Sequence, residues 1–230
     1  MNGFVQSSVY LGVFISLGTY FIGMFIRKKF NFPLFNPLLI AIVLTLVFLI
    51  VSKTPYEVYY EGAKYLSYLL TPATVCLAIP LYEQFEKLKK NIAAIAVGIV
   101  TGVLTSFASV FILSYLFKFD HKDFVTFLPK SITTAIGMGV SEEMGGYVAV
   151  TVAVIIITGI IGNMIADIVC RIFHITEPVA KGLAIGSASH AIGTVKAMEM
   201  GEVEGAMSSL SIALSGILTV FLAPLFANLI

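Results

Sequence analysis

The chain has 230 residues, of which 58% are hydrophobic and only 12% are charged, and its net charge is +1. Soluble domains carry roughly 25% charged residues, so this composition excludes an ordinary soluble domain and predicts an all-α integral membrane protein in a lipid bilayer. With no polybasic patch and almost no net charge, the sequence argues against a nucleic-acid partner.

Five apolar stretches predict ordinary membrane spans, since a helix needs about 20 apolar residues to cross a bilayer. The first ends at basic residues 27–29, and a second basic cluster ends the charged surface segment 83–90. Because basic loops stay cytoplasmic and two elements separate these clusters, we expect an external N-terminus. Residues 53–64 predict an interfacial turn. The five spans are residues 5–26, 34–51, 92–117, 147–172 and 206–229.

Three further stretches are apolar but unusual for membrane spans. Residues 66–82 are interrupted by proline, residues 124–141 are short, polar and rich in glycine, and residues 179–198 are short and rich in glycine and serine. They bring the predicted total to about eight membrane elements.

The three unusual stretches share a pattern. A shift of the sequence by 57 residues places Pro72 on Pro129 and Thr74 on Ser131, and a further shift of 56 places Ser131 on Ser187. We therefore predict one transmembrane domain, residues 1–230, with three repeats of a broken element followed by a plain span. The predicted repeats cover residues 66–118, 124–173 and 179–229.

Internal repeats with interrupted helices are typical of secondary transporters. A broken helix frees backbone N–H and C=O groups, which is tolerable at membrane depth only around a cavity or inside protein. We predict broken or re-entrant helices with non-helical backbone within residues 71–80, 129–139 and 186–195. At least two of these stretches are expected to approach each other.

Lys130 is a charged residue inside an unusual stretch. A charge at the centre of a membrane helix costs about 2.5–3.5 kcal/mol, so it indicates water, a partner or a ligand. Lys130 follows a proline and precedes Ser131, Thr133 and Thr134. One cation beside short hydroxyl donors suits a carboxylate. The alternative is a lysine that extends to the lipid headgroups.

His190 lies among glycine and serine residues in the third unusual stretch. Its ordinary pKa of about 6.5 suits a proton relay or a pH-gated contact with an anion. The alternative is a neutral histidine that is hydrogen-bonded between helices. Glu143 and Glu199 close two of the broken elements and are further candidates for proton coupling.

The sequence lacks the motifs of enzymes. It has no Walker lysine loop, GxGxxG or HExxH motif, and Ser187 and Ser189 lie too near His190 along the chain for a serine and its base. Cys76 and Cys170 have no metal-ligand spacing. We therefore expect no enzymatic activity, no cofactor and no metal site.

Three stretches resemble the signature stretches of the CidB/LrgB family. They are residues 71–82, 128–135 and 181–194, and the resemblance covers nearly the whole chain in the same order. Residues 189–197, Ser-His-Ala-Ile-Gly-Thr-Val-Lys-Ala, resemble the CidB-like branch more than the LrgB branch.

The resemblance implies a bacterial cell-membrane protein with one of two functions. Bacterial members are holin- or antiholin-like regulators of murein hydrolases and cell death, often with a small holin-like membrane partner. Other members carry small monocarboxylates: pyruvate in some bacteria, and glycolate and glycerate in the plant plastid relative.

From these features we predict a proton-coupled secondary transporter of a small monocarboxylate. The alternative is a holin-like pore or a regulator of murein hydrolases and lysis, and a third possibility is a membrane scaffold that acts through its partner. Analogy with other transporters suggests a homodimer. The predicted substrate-binding residues are Thr71, Thr74, Lys130, Ser131, Thr133, Thr134, Ser187, Ser189, His190 and Thr194.

Overall fold

The computed structural model describes residues 10–30, 35–76 and 78–230, without the side chains of residues 70, 71, 74, 80 and 81. Within these ranges every regular element is a helix. In chain order they are α1 Leu11–Phe30, α2 Pro37–Ser52, α3 Tyr56–Ser67, α4 Leu70–Cys76, α5 Ala78–Glu83, α6 Phe85–Lys90, α7 Ile92–Phe117, α8 His121–Phe127, α9 Thr134–Glu143, α10 Val148–Ile172, α11 Pro178–Met200 and α12 Glu202–Ala227.

Four of the described helices are long and apolar enough to cross a membrane: α1, α7, α10 and α12, with 20 to 26 residues each. Helix α2 is apolar but has 16 residues. The predicted all-helical membrane class is confirmed. The predicted total of about eight membrane elements and the re-entrant helices are not confirmed, because length and composition identify only these four.

The helices form two compact units, residues 1–76 and residues 77–230. In the first unit, Asn36 caps the start of α2: its Oδ1 accepts the backbone N–H of Leu38 and of Leu39 at 2.9 and 3.3 Å. Lys53, which follows the last residue of α2, ends the helix by taking the left-handed conformation. The prediction of one domain with three repeats stays a prediction.

The prediction of a turn over residues 53–64 is wrong for most of that range. Pro55 precedes α3, and proline suits a helix start because it has no N–H that the helix could use. The polar and aromatic composition of α3 reflects a helix with one packed face: Gly12 of α1 fits closely against Tyr59 and Ala63.

The second unit contains the long helices α7, α10 and α12, and α7 has the bounds predicted from the sequence. One apolar core joins α7, α8, α9 and α12 around Phe107 and Phe124, which are 1% and 0% exposed. A second core joins α7, α11 and α12 around Ile99 and Met207. These two cores fix α7 and α12 beside the broken elements α8–α9 and α11.

Two of the predicted breaks are present in the second unit. Residues 128–133 are non-helical between α8 and α9, because Pro129 cannot continue the hydrogen bonding of α8. Helix α11 is interrupted at His190, where φ is 42° and ψ is −140°. The third predicted break, within residues 71–80, includes residue 77, which lies outside the described residues. The depth of the breaks in a membrane stays a prediction.

Candidate functional site

The turn between α8 and α9 holds Lys130 and Ser131 against the middle of α7. Lys130 Nζ donates a hydrogen bond to Ser131 Oγ at 3.0 Å, and Ser106 Oγ of α7 donates to the same oxygen at 3.1 Å. Lys130 is half-buried, and no carboxylate among the described residues forms an ion pair with it. The ammonium group is therefore fixed near mid-helix and is available to an anion.

The first half of α11 supplies two serines beside this turn. Ser187 and Ser189 are buried, and Ser187 Oγ donates to Leu183 O at 2.7 Å. Gly102 of α7 leaves room for Ser187, and Gly162 of α10 leaves room for Ser189, because a Cβ at either glycine would overlap the serine. Small residues let membrane helices approach closely, and here they seat hydroxyl groups between three helices.

These elements form the wall of an open cavity of about 830 Å³. Lys130, Ser131, Ser187 and Ser189 are on its wall, so the two broken stretches line one space. Asn91, just before α7, and Glu177, just before α11, lie at the other end of the cavity. Measured along α7, Asn91 is about 20 Å from Ser106. Further hydroxyl groups on the wall belong to Thr101, Thr105, Ser106, Ser109 and Thr158.

Those five hydroxyl residues are not among the predicted site residues, because α7 and α10 have the sequences of plain spans. A signal was present: Gly98, Gly102 and Ser106 are spaced four residues apart, as are Thr101, Thr105 and Ser109. Such spacing places small and hydroxyl residues on one face of a helix. A stripe of this kind inside an apolar span indicates a face that lines a cavity or packs against another helix.

His190 does not line the open cavity. Its side chain is 2% exposed, and Nε2–H donates to the backbone oxygen of Ile155 in α10 at 2.9 Å. Its ring packs against Gly159, where a side chain would leave no space. The kink places the ring in the interface with α10 instead of in the open cavity. The alternative of a histidine hydrogen-bonded between helices matches this geometry.

The remaining predicted site residues are not on the described wall of the cavity. Thr133 and Thr134 begin α9 and are half-buried, because the turn after Lys130 directs the chain away into a new helix. Thr194 is buried and pairs with His190 O at 3.0 Å and with Ser208 Oγ at 2.7 Å. The side chains of Thr71 and Thr74 lie outside the described residues.

The two carboxylates proposed for proton coupling have different surroundings. Glu143 is exposed at the end of α9. Glu199 lies 3.5 Å from Lys196 Nζ, which also contacts Asp167 of α10 at 2.6 Å. This ion pair, together with a hydrogen bond from Asn163 to Ile192 O at 2.9 Å, fixes the second half of α11 to α10. No cluster of described residues could hold a metal ion.

Comparisons with known proteins agree with the resemblance found in the sequence. The model of the LrgB-like family matches residues 16–229. The holin-like protein CidB of Staphylococcus epidermidis is 37% identical over 224 residues, which are 97% of each chain. The antiholin-like protein LrgB of Bacillus cereus is 40% identical over 218 residues, which are 94% of this chain and 95% of that one. No solved structure matches.

The family match and four apolar helices of spanning length establish a multi-pass protein of a bacterial membrane. The matched relatives carry the names of holin-like and antiholin-like proteins, and neither name is that of an enzyme. The match extends from α1 to the end of α12 and thus includes both broken elements. The chain belongs to the LrgB-like family.

Proposed function

We propose that this protein is a holin-like or antiholin-like protein that changes the permeability of a bacterial cell membrane and thereby regulates murein hydrolases and lysis. The names of its relatives support this function. The observation that carries it is the open cavity of about 830 Å³ in an apolar helical unit. A bundle that served only as a scaffold would not need hydroxyl groups and Lys130 around an open space.

Filling the open cavity tests this function. Ala188 is exposed on α11 and lines the cavity, and Val195 is exposed on the same helix beyond the His190 kink, away from the cavity. We expect Ala188→Phe to lower the leak of a small dye from cells that express the protein by at least half. The second readout is the effect of the protein on murein hydrolase activity in a gel assay, which should also fall by at least half if the protein acts as a regulator. Val195→Phe is the matched control. Equal leak and equal hydrolase activity in the two variants would contradict a role for the cavity.

A second candidate function is transport of a small monocarboxylate, and the chain of Lys130, Ser131 and Ser106 favours it. One ammonium group beside hydroxyl donors matches a carboxylate that bears a 2-oxo or 2-hydroxy group. The relatives' names favour the first function. Uptake of labelled pyruvate or glycolate into proteoliposomes separates the two: a carrier gives saturable, selective uptake, and a pore gives unselective leakage. Uptake by the purified protein alone would also exclude a scaffold that acts through its partner.

Proton coupling through His190 is a separate part of the transport proposal. Glutamine at this position can still donate to Ile155 O but cannot ionise. We expect His190→Gln to exchange substrate across the membrane yet fail to concentrate it along a pH gradient. The measurement is accumulation in proteoliposomes with an imposed pH difference. Accumulation equal to that of the unaltered protein would assign His190 a structural role and leave Glu143 and Glu199 as the candidates.

A small holin-like membrane partner and a homodimer belong to the proposal as well. The family relationship is their support. Crosslinking in native membranes, followed by mass spectrometry of the products, would identify either assembly.

A further inference from the structure

A second, much smaller cavity lies behind the open cavity. Its volume is about 10 Å³, close to the minimum space that one water molecule needs. Ser106, Ser131 and Ser187 line both cavities, so their side chains form the wall between them. Ser215 and Thr219 of α12 line the small cavity from the other side.

Ser215 distinguishes this small cavity from an ordinary packing gap. The residue is 1% exposed, and its Oγ has no hydrogen-bond partner among the residues that the structure describes. Neighbouring buried hydroxyls of α12 do have partners: Ser211 donates to Leu183 O at 3.2 Å, and Ser208 pairs with Thr194. A buried hydroxyl without a partner is unfavourable, so it indicates a bound group.

We propose that the small cavity binds one water molecule that joins Ser215 to the hydrogen-bonded chain of Lys130, Ser131 and Ser106. Such a water accepts the hydrogen of Ser215. It can donate to Ser106 and Ser187, whose own hydrogens already point to Ser131 Oγ and Leu183 O. A cation fits less well, because the described lining has no carboxylate and Lys130 Nζ lies 3.0 Å from Ser131 Oγ.

The water also gives the Ser131 hydroxyl two alternative acceptors. Ser131 Oγ accepts from both Lys130 and Ser106, so its own hydrogen must point into one of the two cavities. Without a solute it points to the buried water, and an oxygen atom of a solute in the open cavity draws it outward. This second step rests on the proposed function, whereas the water site does not.

Removing the Ser215 hydroxyl gives opposite results for a wet and a dry cavity. With a water present, Ser215→Ala removes a hydrogen bond, and we expect the Tm of the purified protein in detergent to fall by about 2 °C or more. In a dry cavity the same change removes an unpaired group and raises the Tm. Ser211→Ala loses its bond to Leu183 O in either case and is the matched control.

A structure of the unaltered protein, at a resolution that shows ordered waters, provides the direct test. We expect a peak about 2.5–3.0 Å from Ser215 Oγ, which disappears in Ser215→Val because the added methyl group occupies the space. A raised Tm in Ser215→Ala, or no peak in a map that shows other buried waters, would overturn the water site. The proposed reorientation of the Ser131 hydroxyl is contradicted if solute passes through the Ser215→Val variant as fast as through the unaltered protein. The Ala188→Phe variant tests the proposed function separately.

Discussion

Replacing Lys130 with alanine is expected to lower solute passage through the purified protein in proteoliposomes by at least about tenfold. A hydrogen bond to a charged group contributes roughly 1.5–3 kcal/mol, and about 1.4 kcal/mol corresponds to a factor of ten. Lys130→Arg is expected to retain part of the activity, because arginine keeps the charge but its planar group fits Ser131 differently. The readout is the initial rate of uptake of labelled pyruvate or glycolate.

Lys90→Ala is the matched control for Lys130→Ala. Lys90 is exposed at the end of α6 and is not on the wall of the cavity, so its loss should leave uptake unchanged. Size-exclusion chromatography would show whether each variant is folded. Normal uptake by a folded Lys130→Ala variant would rule out contact between Lys130 and the solute, and a loss equal to that of Lys90→Ala would indicate a general charge effect.

Replacing Gly186 with leucine is expected to prevent stable packing of α11 against α12. Gly182 and Gly186 lie one turn apart on α11, and a Cβ at either position would overlap a backbone oxygen of α12, that of Glu204 or Ser208. Even a single added carbon at Gly186 would overlap backbone atoms, which cannot move aside as the end of a side chain can. Overpacking costs typically about 1–3 kcal/mol or more. We expect a Tm lower by several degrees, measured by thermal unfolding in detergent.

Gly139→Leu provides the comparison for Gly186→Leu. Gly139 is also inside a helix, but no atom lies within 4 Å of the position that its Cβ would occupy. Because leucine favours helices more than glycine does, this change should keep or raise the Tm. Equal Tm values for the two variants would show that α11 and α12 do not approach as closely as the structure indicates.

Local sequence predicted the long helices and the positions of two breaks. The apolar run of α7 fixes its bounds, since no charged residue or proline interrupts it. Pro129 ends α8 by lacking an N–H group, and the glycine and serine residues around His190 weaken α11. Lys130, Ser131, Ser187 and Ser189 lie at or near these two breaks, and all four line the open cavity.

Contacts between distant residues could not be predicted in the same way. His190 meets Ile155 across 35 residues, and Ser106 meets Ser131 across 25. A backbone oxygen carries no sequence signal, and the four-residue spacing of Gly98, Gly102 and Ser106 marks a face of α7 without naming the residue that this face meets. The prediction that Thr133 and Thr134 belong to the site rests on their closeness to Lys130 along the chain. They begin α9 instead, and neither residue lines the cavity.

The backbone at His190 gives α11 a mechanical property. The three other described non-glycine residues with positive φ, Lys53, Lys118 and His174, lie at or just after the ends of helices. His190 instead lies inside α11, and holding a residue in so rarely populated a conformation costs about 1–3 kcal/mol. The hydrogen bond from His190 Nε2 to Ile155 O helps to hold the residue in this conformation. Because His190 joins the two halves of α11 and is bonded to α10, we expect a shift of α10 at Ile155 to change the angle between these halves, the first of which carries Ser187.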